Sequence, residues 1–356
     1  MAFLYIADQD LVAPDAPDAS TTLSSAAAPA AAELSSTTPG FTPVGIGKPL
    51  SIEIVTLYVG NRMSSLLDKD KNVLLVTGVK SINTFNATTR AMNFTKKNVK
   101  NFEYPDFEAF TDGTAIVYYT QALDTETIYV SFEFIADNFN QDIFDDISKL
   151  FSAAAGLPVF LPAAGYLLAG SAVVKIAGEL GNTLFQKGPF LNDTIPLRFG
   201  SPQFPLPESQ LMLVCNDADV TELKTCTIQV DSVAPGKVSA RLIGTDGKEY
   251  RGDKPYIIIS MDGRDRKQDL EKFTPTQATA AILHQFYGVT DKSEAMTTAL
   301  QDAMSLYNDS TYNKKATALK TEMAALSQDS DEYKKDKQLF DAYNKNIGNE
   351  LFKVTL

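Results

Sequence analysis

Ser51-Ile-Glu-Ile-Val-Thr-Leu-Tyr-Val59 alternates polar and apolar side chains in its first half and is rich in β-branched and aromatic residues, the pattern of a strand with one face against a core. Three further runs share it: Val73-Leu-Leu-Val-Thr-Gly-Val79, Thr114-Ala-Ile-Val-Tyr-Tyr119 and Thr127-Ile-Tyr-Val-Ser-Phe-Glu-Phe-Ile135. Turn residues, among them Asp112-Gly113, separate them. Together they predict a first antiparallel β-module over residues 48–150, closed by a short helix near Asp142 to Phe151.

Toward the C-terminus the same pattern returns over residues 189–262, a second β-module. Its candidate strands are Thr194 to Arg198, Gln210 to Cys215, Thr225 to Val230, Lys237 to Ile243 and Tyr256 to Ser260. Gly244-Thr-Asp-Gly-Lys248 reads as a hairpin turn between the last two. Between the modules, residues 151–174 carry no charge and are long enough for a membrane span. Pro158, Pro162 and several glycines interrupt that stretch, and its flanks show no positive-inside asymmetry, so residues 151–188 are expected to form a buried, apolar helical crossover. After Asp262-Gly263 the spacing becomes helical. A helix is expected from Pro275 to Tyr287, and Tyr312, Ala316, Leu319, Met323 and Leu326 follow the spacing of a packed helical hairpin. Residues 263–356 are therefore a C-terminal helical region, with Leu351 to Leu356 as a strand or docking tail. The expected fold class is α+β: two antiparallel, sandwich-like β-modules joined by an apolar helical crossover, with helices at the C-terminus.

Residues 1–47 read as an arm and linker. From Ala13 to Gly40 the chain is mostly Ala, Pro, Ser and Thr, too poor in large apolar side chains to offset its ordering entropy in a core of its own. Ahead of it, Phe3, Leu4, Tyr5 and Ile6 form a strand-like apolar tip, the candidate contact with another subunit. The first ten residues lack the cationic start and apolar core of a secretory signal, which leads to an expected cytoplasmic location.

The 356 residues carry a formal net charge of −12, leaving no basic surplus to displace counterions from a phosphate backbone. Nucleic acid is therefore not an expected partner. Cys215 and Cys226 each lie in an apolar or β-branched run, as buried filler of neighbouring strands or as a cross-strand disulfide. His284 is the only histidine and has no nucleophile signature beside it. Gly45-Ile-Gly47-Lys48-Pro49 ends like a phosphate-binding loop, but Thr42 stands where the first glycine belongs and Pro49 where Ser or Thr should hold magnesium. Arg251-Gly252-Asp253 spells an adhesion tripeptide beside a turn. No catalytic constellation emerges, and the chain is read as non-enzymatic without a required cofactor.

One pair of loops is chemically suggestive. Leu67-Asp68-Lys69-Asp70-Lys71-Asn72 lies between two strands, and Phe134-Ile-Ala-Asp137-Asn-Phe-Asn-Gln-Asp142 follows a later one. Over residues 48–144 this order resembles C2 modules, β-sandwiches whose loop aspartates hold calcium against a lipid headgroup. The resemblance implies Asp68, Asp70 and Asp137 as calcium ligands. The chain departs from the family pattern in lacking the Ser-Asp-Pro-Tyr signature, and Ile135 stands where the later loop would supply its first aspartate. Two functions of different kinds follow. The first is a structural or adaptor subunit of a larger assembly, with copies of itself or other subunits as partners. The second is a peripheral membrane or lipid-binding protein, calcium-dependent if the aspartate loops converge.

Overall fold

The run Val73-Leu-Leu-Val76 is apolar without interruption because it faces a hydrophobic cluster on either side: Val73 and Leu75 enter one, Leu74 and Val76 another. The computed structural model describes residues 3–7, 10–12, 41–61, 71–81, 89–106, 112–137, 141–154, 157–160, 189–199, 210–234, 237–270, 272–274, 276–277 and 294–356. In chain order its strands are β1 (Phe3–Ala7), β2 (Asp10–Val12), β3 (Leu50–Tyr58), β4 (Lys71–Ser81), β5 (Thr89–Val99), β6 (Ile116–Thr120) and β7 (Thr127–Asp137). Helix α1 (Gln141–Ala153) precedes β8 (Val159–Phe160), β9 (Leu191–Arg198), β10 (Leu211–Val214), β11 (Thr227–Ala234), β12 (Lys237–Ile243) and β13 (Tyr256–Asp262). Helices α2 (Glu294–Met323) and α3 (Asp331–Lys345) follow. The α+β class is thus observed, with every ladder among the described residues antiparallel.

The division into two successive β-modules is corrected by the pairing. One sheet runs β2-β1-β10-β13-β3-β6 and the other β8-β5-β4-β7-β9, so each draws strands from both expected modules. The physical reason is that β3 finds its long partner in β13, with Tyr58 opposite Tyr256 and Ser51 opposite Asp262. A bulge between Ile258 and Ile259 places Val55 as the extra residue of β3. It switches parity, so that Ile52 and Ile54 before it and Leu57 and Val59 after it all reach the same cluster.

That cluster joins Leu50, Ile52, Met212, Ile257 and Ile259 of one sheet to Val73, Leu75, Phe132, Ile195 and Leu197 of the other. On the outer face of the five-stranded sheet, Ile147, Leu150 and Phe151 of α1 pack on Leu74, Val76, Met92 and Ile135. On the opposite outer face, the β11–β12 hairpin covers the six-stranded sheet through Ile228, Ala240 and Leu242. Asn93 of β5 bridges the sheets: its side chain accepts a 2.6 Å hydrogen bond from Thr77 Oγ1 and donates one of 2.7 Å to the Ile116 carbonyl. Asn93 is fully buried.

Three further expectations change. Val159 and Phe160, placed in the helical crossover, instead form β8, a two-residue strand that extends the sheet from β5; residues 161–188 lie outside the described residues. Gly244 to Lys248 is a tight turn, but it does not pair β12 with β13. β12 pairs with β11, and β13 lies between β10 and β3. Cys215 and Cys226 are both buried and both free, but they do not fill neighbouring strands: Cys215 follows β10, and Cys226 precedes β11, which belongs to a different sheet.

Helices α2 and α3 form the expected hairpin, with its own small cluster of Ala316, Met323 and Phe340. The chain's last residues bind it as a docking tail: Asn344 pairs with Val354 through two hydrogen bonds of 2.9 Å, and Asn313 donates to the Phe352 carbonyl at 2.6 Å.

Candidate functional site: the seat of the N-terminal hairpin

Phe3, Leu4, Tyr5 and Ile6 are brought together as one strand, and its seat is the candidate site. β1 pairs with β10 in the register Phe3–Val214, Leu4–Leu213 and Tyr5–Met212. Strand alternation sends its side chains to opposite faces: Phe3 enters the cluster between the sheets, while Leu4 and Ile6 enter the one beneath the β11–β12 hairpin. Phe3, Leu4 and Ile6 are all buried. The side chain of Tyr5 lies outside the described residues. β2 then folds back on β1, Ile6 opposite Leu11, and Leu11 is buried in the same cluster as Leu4.

The acceptor strand is apolar on both faces. Leu211 and Leu213 join the outer cluster with Leu223, Cys226 and Ile228, and Met212 and Val214 join the inner one. Burial pushes the Cys215 thiol at its end up to about 12, with Asp219 nearby adding to the effect, so it is no reactive nucleophile at neutral pH.

Burying four apolar side chains contributes roughly 1.5–3 kcal/mol each. Fixing eight backbone residues costs about 1–2 kcal/mol each. The two are of similar size, so the hairpin is held by a narrow margin in which its ladder hydrogen bonds matter.

The chain returns from the hairpin at a pinned point. Asp262 Oδ1 accepts hydrogen bonds of 3.0 Å from the backbone N–H of both Thr42 and Arg264, and its other oxygen pairs with the Arg264 guanidinium. Gly263 N–H donates to the Thr42 carbonyl at 2.9 Å. A Cβ on Gly263 would meet the Pro43 carbonyl oxygen at 2.3 Å, so this close approach requires glycine. Asp262 is thereby a structural anchor.

Asp68 and Asp70 lie outside the described residues. The backbone of Asp137 ends β7 directly opposite Asn72, so the chain enters β4 and leaves β7 at one end of the sheet. The Asp137 side chain lies outside what is described. Among the described residues no group of three or more His, Cys, Asp or Glu side chains could hold a metal ion. His284 and most of the helix expected from Pro275 also lie outside them. Among the described residues, no helix is long and apolar enough to cross a membrane.

Arg251 of the adhesion-type tripeptide is engaged internally. Its guanidinium lies 5.1 Å from the centre of the Tyr104 ring, donates to the Phe102 carbonyl at 2.6 Å and pairs with Glu249 at 3.0 Å. Tyr104 itself is clasped between Arg251 and Arg241 and shares a 2.9 Å hydrogen bond with Tyr256. Burial raises its hydroxyl to about 12. This tyrosine cluster fastens the 102–106 segment to β3 and β13.

The residue pattern missed β2 and the acceptor role of β10. A three-residue strand carries too few alternations to register, and only the order Leu11-Val12 after Asp10 hinted at it. Comparison with protein-family models, curated proteins and solved structures gives no significant match for this chain.

Proposed function

We propose that this chain is a non-enzymatic structural or adaptor subunit of a larger protein assembly, with its N-terminal hairpin as an inter-subunit connector. The observation that supports the reading is the hairpin itself: a pair of short strands completes both hydrophobic clusters, yet the intervening Ala13 to Gly40 offers almost no large apolar side chain. In this reading the two sheets form a β-sandwich that serves as a rigid body, and the hairpin supplies main-chain pairing to an edge. The test is removal of residues 1–40 followed by light scattering. Loss of the higher-mass species with retained β-sheet circular dichroism is expected; an unchanged particle mass overturns the reading.

The second reading, a calcium-dependent lipid binder, draws on the placement of Asn72 opposite Asp137 at one end of the sheet. Calcium-dependent sedimentation with anionic liposomes, lost in an Asp68→Ala/Asp70→Ala variant, would favour it.

A further inference from the structure

The tether is several times longer than the seat requires. The hairpin leaves β2 at Val12, which is level with Tyr5 and hence with Met212 of β10. The chain is fixed again at Thr42 by Asp262 at the end of β13. Those points are three strand spacings apart across the sheet, about 14 Å, and a few residues apart along it. A handful of extended residues would close that gap. The 28 residues from Ala13 to Gly40 reach on the order of 90 Å when extended.

We propose that the β1–β2 hairpin exchanges between two copies of this chain, each hairpin seating on the partner copy's β10 edge in the register seen within one chain. The inference rests on the reading of the hairpin as a subunit connector and commits it to one partner. Exchange preserves the inserted side chains, the main-chain ladder and both clusters, so the two arrangements differ only in what the tether permits. The seat demands this occupant specifically. It must place Phe3 between the sheets and Leu4, Ile6 and Leu11 on the opposite face, a two-sided fit that a surface-lying peptide does not reproduce. The open edge left by a departed hairpin would expose the unpaired N–H and C=O groups of β10, which the same hairpin from a neighbour satisfies.

Concentration decides between the arrangements. By its length alone, a 28-residue tether sets the effective concentration of its own hairpin at about millimolar. The intrachain seat therefore prevails in dilute solution and the exchanged one where copies are crowded, as inside an assembly.

The test uses two full-length chains in a Cys215→Ala/Cys226→Ala background, one carrying Leu4→Cys and the other Leu213→Cys. These positions are paired in register, and neither chain alone holds both thiols. Co-incubation across a range of concentrations, followed by mild oxidation and non-reducing electrophoresis, is expected to give a covalent heterodimer. Its yield should rise at least tenfold between micromolar and near-millimolar protein. A third chain carrying both cysteines reports the intrachain seat and confirms that the variants fold. Complete intrachain closure in that chain, with no heterodimer at any concentration, overturns exchange. If removal of residues 1–40 still reduces particle mass in that case, the connector reading survives with a different acceptor; if it does not, both fall.

Discussion

Asn93 and Asp124 show opposite ways in which a buried polar residue serves this molecule. Asn93 is saturated by Thr77 and the carbonyl of Ile116, which lie on different sheets. Replacing it with Ala leaves those groups buried and unpaired, and should destabilise the fold by about 2–4 kcal/mol, measurable by urea unfolding. Asp124, in contrast, sits where α2 meets the β6–β7 connection. Lys315 approaches it at 3.7 Å, the Tyr312 hydroxyl donates to it, and Tyr343 and Tyr118 lie nearby. Burial raises its carboxyl above the ordinary value of 3.8, and Lys315 and Tyr312 offset that only in part. A raised folded-state value means that the native state takes up the proton first. The contribution is full below 3.8 and is lost as pH rises through the raised value. Wild type should therefore gain stability relative to Asp124→Asn on acidification toward that range. Parallel melting curves of the two proteins at several pH values would show the difference, and a constant gap between them would contradict the assignment. Neither residue was legible in the sequence, because nothing local distinguishes a bridging Asn or a docking Asp from a surface one.

At the scale of elements, β3, β4, β6 and β7 were legible because each carries β-branched or aromatic residues in strand-like runs. β5 was not, although it is as long as β4: Arg90, Asn93, Lys96 and Lys97 give it the composition of a loop, and its burial comes from partners on both edges. The helical hairpin is legible in its heptad-like spacing, but its attachment is not. It meets the β-body largely through polar groups. Asn346 accepts from the Ala122 N–H at 3.2 Å and donates to the Ala122 carbonyl, and Lys345 donates to the Gly47 carbonyl at 2.8 Å. Asn346→Ala should therefore loosen docking while leaving the Ala316–Met323–Phe340 cluster intact. Hydrogen exchange should accelerate in residues 121–126 by several-fold, with little change at the centre of α3. Equal acceleration throughout α3 would show that the hairpin has no independent core.

Across the whole molecule, strand content was legible and strand partnership was not. Periodicity reports which face of a segment is buried, whereas the choice of neighbour depends on the fit of sheets assembled from distant segments. The same holds for the candidate site: the apolar tip Phe3 to Ile6 stood out by composition, but its acceptor, some two hundred residues away, bears no matching mark. Because Phe3, Leu4, Ile6 and Leu11 fill both clusters, removal of residues 1–40 should also lower the melting temperature, by roughly 3–5 °C at a loss of about 2–3 kcal/mol. Differential scanning calorimetry checks this. An unshifted transition would mean that the hairpin contributes no net stability to its own body.

The pairing of β3 with β13 also sets a timetable for synthesis. Ser51 donates its hydroxyl to the carbonyl of Asp262, 211 residues later. At about 5–20 residues per second, a ribosome needs roughly 10–40 s to supply that partner. Throughout that interval β3 lacks the strand that pairs along its length, and the apolar face meant for the opposite sheet has only β6 beside it. A stalled polypeptide ending before residue 256 should therefore be far more protease-sensitive than one ending after residue 262.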